Sequence, residues 1–184
     1  MAIDIQFKAF ANPSNALLLG KAVTVASIGI FAGTALSYNT IIMPSIRKFS
    51  TTSSLAIWNE TVNTSKALQT TMKAISIIGS AGLYHKTKNP AYLYGALTMA
   101  LIIPYTLLAI APLNKTLVTI RQDNTVNGKS NSLKDNKSND SNVEGLLTRW
   151  NRLHAGRTLL SYGALFITIY GVISDRGVRF IVFK

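Results

Sequence analysis

The 184-residue chain carries no cysteine, seven acidic residues and a formal charge of +12, and 48% of it is hydrophobic against 14% charged. An average soluble domain is about 25% charged, so with a mean hydropathy of +0.25 the chain belongs among small polytopic membrane proteins. Missing thiols exclude disulfides, thiolate metal sites and iron–sulfur clusters, while basic residues scattered over every connection argue against nucleic acid and for anionic lipid headgroups.

The first apolar segment covers residues 17–43, bracketed by Lys21 and Arg47. These lie about 39 Å apart along a helix axis, which matches a bilayer with its headgroups. The preceding MAIDIQFKAF carries Asp4 and no arginine, which makes it a poor transit peptide. In the following polar stretch Leu55, Trp58 and Val62 recur at helical spacing. Either an interfacial helix lies over the site there, or a plain loop is anchored by one tryptophan.

The second span, 68–84, has a short clean core behind Lys73. It reaches about 26 Å and depends on that lysine snorkelling; a buried or re-entrant segment fits as well. The third, 91–113, contains Pro104 and Pro112, tolerated where neighbouring helices re-satisfy the freed carbonyls, with a kink expected near Ile103. Residues 122–142 hold six Asn and four Ser, with Val126 and Leu133 the only sizeable apolar side chains. Such a stretch cannot build a core, and a disordered polar loop is expected between spans three and four. The fourth span, 156–174, stops at Asp175 and Arg176. The expected architecture is all-α: an integral membrane four-helix bundle, a single membrane domain over residues 1–184. Basic residues flanking the spans divide almost evenly between the two sides and leave the orientation open.

Trp150, His154, Arg157 and Ser161 sit at offsets of four, seven and eleven, within about 40° of one another on a helix. An ionisable pair heading an apolar run is a functional-site hypothesis; the competing reading makes Arg157 and Trp150 interfacial anchors. Ser37, Asn39, Lys73, Tyr105 and Asn114 approach the same side from the other spans. Small residues at Gly29, Gly33 and Ser37, and at Ser76 and Ser80, form ridges on which helices approach closely, and packing is the favoured role of the two glycines. All seven carboxylates fall in loops or tails, so neither a di-iron cage nor an intramembrane proton relay assembles. His85 and His154 stand on opposite sides, which argues against a bis-histidine haem. Chemistry here would use no protein-bound metal or redox cofactor, or one held by a single histidine.

The segments PYTLLAIAPLNKTL (104–117) and WNRLHAGRTLLS (150–161), with GIFAGTALSYNTIIMPSI (29–46) in the first span, resemble the anthrone oxygenase-like family of small four-span membrane proteins. In that family a Pro–Asn pair closes the third span and a Trp–His–Arg helix opens the fourth. The resemblance covers most of the chain outside the Asn/Ser-rich insert. It implies oxidation of a hydrophobic aromatic, polyketide-like molecule by O2 without a cofactor. His154 would be the base, and Arg157, with Asn114 or Tyr105, would hold the developing enolate oxygen. Trp150 would offer a flat surface to the rings, with Ser161 completing the substrate-binding stripe. The long insert keeps a second reading open, a non-enzymatic accessory subunit, assembly factor or lipid-binding bundle that holds a headgroup or a partner membrane protein through His154 and Arg157. A channel or transporter ranks last, for want of inverted repeats and intramembrane acids. Endoplasmic reticulum and mitochondrial inner membrane both fit.

Overall fold

The computed structural model describes residues 13–126 and 133–175, with side chains over 15–123 and 141–175. Among the described residues there is no strand. Four long helices form the structure: α1 (13–46), α2 (Thr51–Thr87), α3 (90–126) and α4 (Leu133–Ser174). Residues 1–12, including the stretch weighed as a transit peptide, and Arg176 lie outside the described residues.

Local chemistry sets the corners. Ser50 caps α2 by accepting the Ser53 N–H, and Lys88 ends it in a left-handed conformation (φ 57°) with its N–H on the Tyr84 carbonyl. Asn89 then caps α3, accepting the Ala91 N–H at 3.0 Å, with Pro90 in the first turn where its missing N–H costs nothing. So short a corner makes α2 and α3 antiparallel neighbours. Each helix in fact runs antiparallel to the next around a ring, α1–α2–α3–α4–α1. The Asn89 amide also reaches α4, donating to the Gly171 carbonyl (3.2 Å) and Ser174 Oγ (3.1 Å).

Two helices widen into π-helical turns, α1 at Tyr38–Ile42 and α3 at Thr106–Ile110. Each ends two residues before a proline, Pro44 and Pro112. A proline ring crowds the carbonyl four residues back and leaves it without a donor, and a wider turn absorbs both effects. The distortion of α3 therefore lies at Thr106–Ile110, beyond the kink position expected at Ile103.

The inner face of α4 is one stripe over five turns: Trp150, His154, Thr158, Ser161, Ala164 and Thr168 are all buried. Its outer face carries Leu159, Phe166, Tyr170 and Ile173, each at least 65% exposed. Small and hydroxylated residues inside with large apolar ones outside is the arrangement a lipid solvent demands. Buried hydroxyls such as Ser76, Thr24 and Thr168 are satisfied by carbonyls one turn back in their own helices. Three helical stretches are long and apolar enough to cross a membrane: Asn15–Ile46, Pro90–Asp123 and Ser141–Ser174.

Helix α2 is not among these three. Segment 68–84 is continuous with the polar stretch before it, making one 37-residue helix. The expectation of a separate interfacial helix or a loop at Leu55–Trp58–Val62 is thereby corrected. Leu55 and Trp58 are buried in an apolar cluster with Tyr38, Ile110, Leu117, Leu147 and Trp150, and that burial carries the helix out beyond the apolar segment. In the polar connection 122–142, α3 extends to Val126 and α4 begins at Leu133; residues 127–132 lie outside the described residues.

Close approach also differs from expectation. A Cβ added at Gly29 or Gly33 meets nothing within 4 Å, so that ridge is not a tight contact. The tight crossings are at Gly79 against Thr24, Gly95 against Thr168 and Gly156 against Tyr105, and Ser76 and Ser80 are fully buried beside Gly79. Thr24 is β-branched and tied to the Gly20 carbonyl (2.7 Å), so it cannot swing aside. Gly79→Leu is expected to lower stability by about 1–3 kcal/mol through overpacking, read as a fall in unfolding midpoint in detergent. Gly29→Leu, facing open space, should leave that midpoint unchanged.

Candidate functional site

Where α2 and α3 separate beyond the apolar mid-section, a cavity of about 320 Å³ opens between them. Helix α2 supplies one wall through Trp58, Asn59, Val62, Lys66, Gln69 and Lys73; Thr106, Ile110 and Asn114 of α3 supply the other, and the floor is Tyr38, Trp150, His154 and Arg157. The volume falls in the range of small-molecule sites.

The floor is an aromatic stack. Trp150 lies nearly parallel to His154, with ring centroids 4.7 Å apart and planes 20° apart. Trp58 meets Trp150 edge-on at 5.8 Å, and Tyr38 packs against both Trp150 and His154. The Trp150 indole N–H donates to Asn114 Oδ1 at 2.7 Å. An engaged oxygen leaves the Asn114 N–H2 as the group able to donate.

Two polar networks hold this floor. In the first, Asn39 Nδ2 donates to the Asn151 carbonyl (2.9 Å) and to Asn151 Oδ1 (2.8 Å). That fixes the amide orientation, so Oδ1 faces Thr158 Oγ1, which donates at 2.8 Å, and His154 Nδ1 at 3.4 Å. An amide oxygen only accepts; the proton of a neutral imidazole therefore belongs on Nδ1, and the Nε2 lone pair is left for whatever occupies the cavity. In the second, Tyr38 Oη donates to the Thr61 carbonyl (2.7 Å) and pairs with Ser65 Oγ (2.7 Å). Gln69 Nε2 donates to the same Ser65 Oγ (3.3 Å), and Gln69 Oε1 accepts from Arg157 Nη2. The Arg157 guanidinium also stands over the Phe31 ring at 4.8 Å, a cation–π contact. Its Nε–H has no partner among the described residues.

Of the residues singled out in the sequence, Trp150, His154, Arg157, Asn114 and Lys73 all line the cavity. Tyr105 and Ser161 do not. Tyr105 Oη donates to the Leu153 carbonyl (2.7 Å) and ties α3 to α4, and Ser161 is fully buried with its hydroxyl on the Thr158 carbonyl (2.7 Å). Ser37 likewise bonds within its own helix. Tyr38 and Gln69 were not foreseen at the site, and Trp58 only within a separate helix lying over it. A signal for Trp58 and Gln69 existed, since Trp58, Ser65, Gln69, Ser76 and Ser80 recur at sevens and fours on one face of α2.

A family model described as anthrone oxygenase matches residues 58–167, more than half of the chain. That span begins at Trp58 and takes in every cavity residue except Tyr38. No curated protein matches the chain, and no solved structure does.

Proposed function

The chain belongs to the anthrone oxygenase family, and we propose that it is a four-span, cofactor-independent membrane oxygenase that oxidises a planar aromatic substrate with O2. The observation that carries this reading is His154, oriented through Nδ1 by Asn39 and set on the cavity floor beneath a flat indole. The ring-methylene C–H of an anthrone is acidic because its carbanion is an enolate. Nε2 of His154 takes that proton, and Arg157 with the Asn114 amide meets the charge that develops on the oxygen. The enolate passes electrons to O2; the methylene carbon gains an oxygen and loses its second hydrogen, and O2 ends as one carbonyl oxygen and one water. For anthrone itself, C14H10O + O2 gives C14H8O2 + H2O.

Three features support membrane embedding of this chemistry. The exposed leucines of α3 suit lipid, the cavity adjoins the apolar mid-section, and a buried aromatic floor strengthens each charge interaction there. The test is oxygen uptake by the detergent-purified chain with anthrone, alongside appearance of anthraquinone. Uptake above the protein-free rate, at one O2 per quinone, is expected; uptake equal to the protein-free rate overturns the reading.

Asn39→Leu removes the acceptor that fixes the imidazole. Turnover is expected to fall about 10–100-fold, the range that follows loss of a histidine's orienting partner, with helix content unchanged by circular dichroism. An unchanged kcat would show that the imidazole needs no such orientation.

A further inference from the structure

We propose that the cavity selects an acidic aromatic ligand, its carboxylate or phenolate held at Lys66, Lys73 and Arg157 while the Trp58 indole N–H donates to a second oxygen on the rings. The proposal deepens the oxygenase reading by naming a substrate class for the same site. Lys66, Gln69 and Lys73 are spaced at three, four and seven, hence on one face of α2, and all three line the cavity. Arg157 crosses from α4 to Gln69, which brings its guanidinium to the α2 wall between the two lysines. The cavity wall thus holds three cations and no carboxylate. Glu60 on the same helix turns away to Thr64, and the buried ion pair between Lys21 and Asp175 belongs to α1 and the end of α4.

Three like charges around one concavity repel each other, and an anion placed among them relieves that repulsion. Lys66 is exposed and Lys73 partly buried, so the charge runs inward from the mouth toward the aromatic floor. A second, independent observation points to the same ligand. Trp58 is 1% exposed and lines the cavity, yet its Nε1–H has no acceptor among the described residues. A buried donor without a partner is uncommon in native structures, and a ring oxygen lying on the floor satisfies it. The flat faces of Trp150 and His154 favour a planar ring system over an acyl chain.

The chain's two tryptophans, Trp58 and Trp150, both line the cavity, so a quinone entering it quenches the whole indole emission. Anthraquinone-2-carboxylate and its methyl ester share a ring system and differ in charge. Titrated into the full-length protein in neutral detergent, the acid is expected to bind about tenfold more tightly, the scale of one charge-assisted hydrogen bond. The preference should shrink in high salt and fall in Lys66→Gln/Lys73→Gln, which leaves only Arg157 to hold the anion. Both positions are on the open side of α2, and glutamine is as good a helix former as lysine, so folding is preserved. Equal binding of acid and ester overturns the proposal, as does a preference undiminished in the double variant. Loss of acid binding when phosphatidylglycerol is added to the micelles also overturns it and assigns the cations to a lipid phosphate. No turnover is read, so the two readings separate. A protein inactive on anthrone that still prefers the acid sinks the oxygenase reading alone, and an active one indifferent to charge sinks only this inference.

Discussion

His154→Ala is expected to reduce oxygen-dependent turnover of anthrone by about 10²–10⁴-fold, the usual worth of a positioned general base, while the protein remains folded and membrane-extractable. The folding half of this expectation follows from where the ring sits. His154 lies on the edge of an existing cavity, so deleting it enlarges that space and does not open a new void in a close-packed core. Its neighbours keep their own partners: Trp150 is held by Asn114, and Asn39 by Asn151 and Thr158. The catalytic half follows from the tautomer, because the Asn39 oxygen reserves the Nδ1 proton and leaves Nε2 basic. Free imidazole added to the His154→Ala variant should restore part of the rate by occupying the vacated ring site. A purely structural histidine would give no such rescue. Turnover retained in His154→Ala would remove the base assignment outright.

The parts of this site legible in the sequence were those on regular helix with an apolar outer face. The α4 stripe from Trp150 onward keeps a 3.6-residue period, so the sequence pattern alone groups its inward residues. Asn114 was legible because Pro112 marks the end of a hydrophobic run. Helix α2 was misread for the opposite reason. Hydropathy reports the lipid-facing surface, but α2 buries Ser76, Ser80 and Gln69, and its first four turns stand among polar residues. Its continuity rests on Leu55 and Trp58 packing into a cluster drawn from all four helices. The π turns hid a further part. Tyr38 and Met43 both face inward although five residues apart, a spacing that a 3.6-residue pattern assigns to different faces. Tyr38, at the centre of the Ser65–Gln69–Arg157 network, was therefore passed over between Ser37 and Asn39. The ridge expected at Gly29 and Gly33 failed because spacing alone does not say which face of α1 meets a neighbour. That face is instead set by Lys21, Thr24, Ile28, Phe31 and Ala35.

Asp175→Asn is expected to destabilise the bundle by about 3–5 kcal/mol, the usual cost of removing one partner from a buried ion pair. Lys21 Nζ lies 2.7 Å from Asp175 Oδ2, with side chains only 3% and 16% exposed. The pair joins the start of α1 to the end of α4, at the opposite end of the bundle from the cavity. Lysine left there without its carboxylate is a buried charge with little water to solvate it, and this, more than the lost attraction, sets the magnitude. For a chain of this size the unfolding midpoint should fall by about 10 °C. Lys21→Met combined with Asp175→Leu removes both charges and fills similar volume, so most of that stability should return. Because the pair lies about 27 Å along α4 from Arg157, kcat for anthrone well below the midpoint should match that of the unaltered protein. If Asp175→Asn unfolds at the original temperature, Lys21 reaches water there, and the α1–α4 contact is held by apolar packing alone.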